Sequence, residues 1–250
     1  MTRSGGLVAS LAMYPFPSLR PATDALWAAV RGTLGWGPAE LEWTVLAPEV
    51  WHHPQLLVAQ TCGWPLVSQL SSSVAVVGTF DYDVPDAEHG TYRSVIVSPH
   101  ALTLEELRGW SAAVAAVNAV DSLSGRVSLQ HAWGGLPAVV LETGAHLESV
   151  RALVAGRADV ASIDAVSWAH IARTEPDLLS GLHVIGHGPR VPCLPLVAGW
   201  RQASHVGALR AAFSAAVADP ALADVRGALR IRGFVPLDLA DYLPLNSLLG

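Results

Sequence analysis

Three short segments carry the residue types that can do chemistry. In Asn118-Ala-Val-Asp121-Ser122-Leu-Ser124-Gly125, an amide, a carboxylate and two hydroxyls lie between a predicted strand and a predicted helix. Asp and Ser cap helix N-termini, where main-chain N–H groups point outward. Such a terminus with adjacent hydroxyls binds oxyanions, and ligands of α/β sheets sit at the carboxyl ends of strands. An ordinary cap followed by a close-packing glycine is the plainer reading of the same residues. In Glu142-Thr-Gly144-Ala-His146 another strand runs into a helix, with Thr143 or Gly144 as its cap and His146 in its first turn. In Ala158-Asp159-Val-Ala-Ser162-Ile-Asp164 a strand ends in an acid. Asp164 there can accept a ligand amine, orient His146, or cap the next helix.

Several other chemistries are excluded. The chain has no P-loop, GxGxxG, GxSxG elbow or HExxH. All 15 basic residues are arginine, so Schiff-base lysine chemistry is absent. Cys62 and Cys193 stand far apart in sequence and outside any CxxC pair, which argues against a zinc site. His183 and His187 are four apart, but Gly186 and Gly188 speak against a helical metal pair. No metal or cofactor is expected. The formal net charge of −6, without a basic block, argues against nucleic acid and anionic membranes as partners.

Strand-like and helix-like segments alternate along the 250 residues. Strands are expected at Leu7–Met13, Leu41–Leu46, Val74–Thr79, Tyr92–Val97, Ala112–Val117, Ala138–Leu141, Val160–Ile163 and His183–Gly186. Helices are expected at Ala22–Leu34, with Thr23 or Asp24 near its start, and at Leu104–Leu107, Gly125–Trp133, His146–Ala155, Val166–Arg173 and Val206–Val217. Apolar strands between helices imply a mainly parallel sheet covered on both faces. With no low-complexity linker, two lobes would be joined by ordered strands.

Leu7–Met13 is apolar behind Arg3, as in a short signal peptide. It lacks a positive cluster, and Tyr14-Pro15-Phe16-Pro17 follows where small cleavage-site residues belong. The expectation is a buried strand and a cytoplasmic protein, or a periplasmic one if a leader has been removed. No apolar run reaches transmembrane length, so no membrane insertion is expected.

Taken in order, these segments resemble the phosphate, phosphite and phosphonate receptor-like family of ABC-transporter substrate-binding proteins. The matching pieces are Gln60-Thr-Cys-Gly-Trp-Pro65, Tyr92-Arg-Ser94, Leu107-Arg-Gly109, Asn118 through Gly125, Gly144-Ala-His146-Leu-Glu-Ser149, and Gly156 through Asp164. The resemblance implies an α/β, two-lobed type II periplasmic-binding fold with two crossover strands and a ligand cleft closed by a hinge. Lobe one would hold residues 1–98 and 196–250, and lobe two residues 99–195. Tyr92 would be the crossover tyrosine that reaches the ligand. Ser122, Ser124 and Gly125 would form the anion-binding helix terminus, with His146 opposite. Tyr14 and the Gln60-Thr61 turn would line the first-lobe wall.

Two departures stand out. The family usually has proline before the aspartate and a hydroxyl between the two serines, where this chain has Val120 and Leu123. A lost hydrogen bond to a charged oxygen costs about 1–2 kcal/mol. The leading expectation is a solute-binding protein for a small anion, phosphonate- or phosphate-like, with an ABC permease as partner if exported. The alternative is a cytoplasmic enzyme on the same fold, using His146 and Asp164 as an acid/base pair.

Overall fold

The computed structural model describes residues 6–249. Their strands are β1 (Val8–Ser10), β2 (Leu56–Gln60), β3 (Val74–Tyr82), β4 (Thr91–Ser98), β5 (Val114–Val117), β6 (Val139–Glu142), β7 (Val160–Ile163), β8 (His183–Pro192), β9 (Pro195–Gly199) and β10 (Ile231–Val235). They form two five-stranded sheets, ordered β1-β2-β9-β3-β10 and β6-β5-β7-β4-β8.

Each sheet belongs to its own compact unit. Unit 1 holds residues up to Asp83, Ala87–Gly90 and Pro192–Pro244; unit 2 holds Val84–Asp86, Thr91–Val191 and the tail from Leu245. Residues 91–98, expected in lobe one, are β4 and pair with β7 in unit 2. Residues 192–195, expected in lobe two, group with unit 1, because β9 pairs with β2 and β3 there.

In unit 1, β2 is buried at all five positions, as a strand covered on both faces must be. The helix Arg20–Leu34 buries Thr23, Leu26, Trp27 and Val30, one stripe at helical spacing. It packs on the helix Val206–Ala218, which buries Leu209, Ala212, Phe213, Ala216 and Val217. Phe213 stacks on Phe234 of β10, with ring centroids 5.8 Å apart. The expected cap at Thr23 or Asp24 is not formed. The helix begins at Arg20, two residues before the expected Ala22 and behind the 3-10 turn Pro17–Leu19, and Thr23 donates its hydroxyl to Leu19 O.

The strand expected at Leu41–Leu46 is absent. The Glu42 carboxylate accepts the Thr44 N–H, the Thr44 hydroxyl and the Val45 N–H, which folds the backbone into a turn. Gly78 shows how tightly β3 is built. Its φ is +150°, and a Cβ there would sit 2.5 Å from Val235 O in the paired strand.

Unit 2 has a parallel centre. β5 pairs in parallel with β6 and with β7, whereas β4 meets β7 antiparallel. Unit 1 is antiparallel apart from the β1–β2 pair. The sheets are therefore mixed, not mainly parallel. Apolar runs report burial on both faces, and strand direction is set by the connections instead. The registers bring the carboxyl ends of β5, β6 and β7 to one end of the sheet, with Val117 beside Glu142 and Ala116 beside Ala161. Each of these strands leads into a helix through a short loop.

Candidate functional site

The loop after β5 opens a continuous helical run, five residues of π-helix (Leu123–Val127) followed by six of α-helix (Ser128–Trp133). Ser122 is its N-cap, and its Oγ accepts the Gly125 N–H at 3.0 Å. Ser122 O accepts the N–H groups of Arg126 and Val127. Capping uses a lone pair of the Ser122 hydroxyl and leaves its hydrogen to donate elsewhere. Leu123, at the position between the serines, is buried.

The loop after β6 brings the histidine. The Thr143 N–H donates to Val117 O at 2.9 Å, and its hydroxyl lies 2.7 Å from Ser149 Oγ. These bonds tie the loop to the end of β5. Gly144 takes φ +85°, and Ala145 is the N-cap of the helix His146–Val154. The cap expected from Thr143 or Gly144 is thus one residue late and carries no side-chain bond.

His146 Nε2 lies 2.9 Å from Ser124 Oγ, joining two of the loops. Its Nδ1 is buried and has no hydrogen-bond partner. Burial lowers the His146 pKa below its ordinary value, and the Asp164 charge pulls the other way without cancelling it.

The loop after β7 supplies Asp164, which is 2% exposed. Its Oδ1 caps the helix Ala165–Thr174, accepting the N–H groups of Val166 and Ser167 at 2.9 Å each. With Nδ1 unbonded, no Asp–His hydrogen bond orients the ring through that atom. Asp164 acts on His146 through its charge.

Sequence reasoning gave Ser162 no role here, and Thr143 only that of a helix cap. Ser162 of β7 donates its hydroxyl to Ser124 O at 2.6 Å, and Thr143 pins the second loop. Both are small hydroxyls at strand ends, with no signal beyond their position. Ser162→Ala should weaken ligand binding about three- to tenfold and destabilise the fold by about 1–2 kcal/mol, since it strands a buried carbonyl. Ligand titration and urea unfolding check the two numbers.

Tyr92 lies in β4 of the same unit and is 1% exposed. Ser122, Ser124, Gly125, His146 and Asp164 gather at the carboxyl ends of β5, β6 and β7. Tyr14, Gln60 and Thr61 belong to unit 1. There, Gln60 Nε2 donates to Tyr82 OH at 2.9 Å, and Tyr14 meets the Tyr82 ring edge-on. Thr61 is fully buried, and its N–H donates to Pro195 O. Tyr82, which centres this cluster, was not singled out from sequence because it lies beyond the expected strand Val74–Thr79, which the structure extends to Tyr82.

The depressed His146 pKa has a stability consequence. The unfolded chain takes up a proton that the folded chain resists, so stability falls as pH drops through the ordinary value of 6.5 toward the lower folded one. Above that window the group contributes no slope. Thermal unfolding of the unmodified protein should decline more steeply below about pH 6.5 than that of His146→Gln.

The fold is that of solved solute-binding proteins. The chain resembles PhnD1 of Prochlorococcus marinus in complex with methylphosphonate at TM-score 0.75 and 13% identity, covering 96% of this chain and 95% of that one. It resembles a binding protein component of an ABC phosphonate transporter from Pseudomonas aeruginosa at TM-score 0.74 and 14% identity, over 97% and 84% of the two chains. A Xanthomonas citri protein bound to ATP matches at TM-score 0.70 and 14% identity, over 97% and 94%. The sequence matches no curated protein. Residues 67–242, which include the three loops and their strands, match the model of one family. The chain belongs to the periplasmic substrate-binding proteins of phosphonate ABC transporters.

Proposed function

We propose that this substrate-binding protein takes up a small oxyanion of the phosphonate or phosphate type where β5, β6 and β7 of unit 2 end. The observation that carries the reading is the 2.9 Å contact between Ser124 and His146. It places a hydroxyl and an imidazole at the start of the Leu123–Trp133 helical run, beside the Ser122 cap. A helix start favours negative charge through its outward N–H groups and its dipole. Gly125 keeps this turn free of a side chain, and Ser162 holds it from below.

The methylphosphonate in the Prochlorococcus complex supports the ligand class. The family is a periplasmic one, so the expected cytoplasmic location finds no support. Export and delivery to an ABC permease are the corresponding proposals for this chain. Native mass spectrometry of the purified protein tests the ligand class. Phosphate or methylphosphonate, carried over or added at millimolar concentration, should appear as a stoichiometric adduct. The reading fails if neither forms one.

A further inference from the structure

Among the described residues the two sheets have four edge strands, β1 and β10 in unit 1 and β6 and β8 in unit 2. An edge strand presents unpaired N–H and C=O groups, which folded proteins blunt with short length, bulges, proline or charge. Three of these edges follow that rule. β1 is three residues long, and its register breaks between Val8 and Ala9. β10 carries Arg232, and its register breaks between Ile231 and Gly233. β8 carries Pro189, Arg190 and Pro192. β6 has none of these devices within Val139-Val140-Leu141, its one charge being Glu142 at the end. Val139 is 50% and Val140 41% exposed. Successive side chains point to opposite faces of a sheet, so this edge is open on both.

A bond at the end of β6 fixes which of its main-chain groups face outward. The Thr143 N–H donates to Val117 O of β5. In a parallel ladder each residue turns its N–H and C=O to the same side, and the side alternates along the strand. Thr143, Leu141 and Val139 therefore face β5, and Glu142, Val140 and Ala138 present theirs to the open edge. Such a row is matched by another strand. Residues 136–141 carry no charged side chain that would select a charged peptide. A second copy of β6 fits without any further element. Run antiparallel about a two-fold axis at Val140, it sets Val140 against its own copy and Ala138 against Glu142. All three pairs then exchange their outward N–H and C=O groups. The two Glu142 carboxylates stand about 13 Å apart along the strands, beyond the screening length of about 8–10 Å.

We propose that β6 is a homodimer interface, at which two copies of this chain join edge to edge about Val140 and make one sheet of their two units 2. The contact is isologous, since the same strand serves both partners. A strand pair this short falls below the about 800 Å² per partner of a standard interface, so the dimer is weak and concentration-dependent.

Analytical ultracentrifugation of the full chain from about 5 to 500 μM tests it. The average mass should rise from one chain toward two, half-associated at about 10–100 μM. Val140→Lys and Val140→Glu each set like charges directly opposite across the axis, and each should weaken self-association at least about tenfold. An equimolar mixture of the two variants should recover the dimer, because opposite charges then face each other. Thermal midpoints close to that of the unmodified protein show that the variants fold. A single-chain mass up to 500 μM overturns the proposal and leaves the edge to an extended segment of another protein. A dimer that survives in both variants places the interface elsewhere. Loss in each variant without recovery in the mixture overturns the pairing about Val140.

Discussion

Gly125→Ala is expected to weaken oxyanion binding about a hundredfold, equivalent to about 2.7 kcal/mol. A Cβ at this position would stand 1.9 Å from Asn118 Oδ1 and 3.1 Å from both Asn118 Cγ and Ser122 Oγ. Asn118 must swing away, and the pressure on Ser122 falls on the hydroxyl that accepts the Gly125 N–H. The added methyl also covers the first turn, where the anion would approach. Asn118→Gly in the same chain relieves the clash with the amide but not the steric cover. The double variant should therefore recover part of the affinity, as a double-mutant cycle by calorimetry will show. Full affinity in the single variant would mean that the anion does not approach this turn.

His146→Ala should cost about thirty- to a hundredfold in affinity, near 2–3 kcal/mol. Two losses combine. The imidazole would no longer be there for the proposed ligand, and Ser124 Oγ loses the ring at 2.9 Å. Because the contact with Ser124 is the ring's one hydrogen bond among the described residues, the fold should survive the change, so affinity and thermal midpoint report separate things. A loss below about threefold would place the ligand elsewhere. Comparing the loss at about pH 5.5 and 8 sharpens the test, since the neutral ring is the form that burial favours.

Much of unit 2 was legible in the sequence, and the reason is local. Val160–Ile163 is a strand over the expected residues, bounded by Asp159 and Asp164. His146–Val154 ends within one residue of the expected Ala155, with Gly156 at φ +66° just beyond. Capping and stop signals act over a few residues, so they survive without knowledge of the rest of the chain.

Unit 1 was harder to read. Leu56–Gln60 gives no alternation because both faces are covered, and β9 and β10 draw their identity from partners more than a hundred residues away. Leu41–Leu46 has strand-like residues, but a single carboxylate, Glu42, turns the backbone.

The site shows the same division. Ser122 and Ser124 could be picked out because hydroxyls before a helix have a defined job. Asp164 had three roles in view, and the two N–H groups of Val166 and Ser167 claim its Oδ1 for the cap. Ser162 could not be recognised, since its partner is a carbonyl 38 residues earlier in the chain.

Calorimetric titration of the full chain with methylphosphonate, beside the His146→Ala variant, tests the central claim most directly. The account predicts saturable one-to-one binding to the unmodified protein and a curve displaced by about thirtyfold or more in the variant. Identical binding curves for the two proteins, or no binding by either, would contradict it.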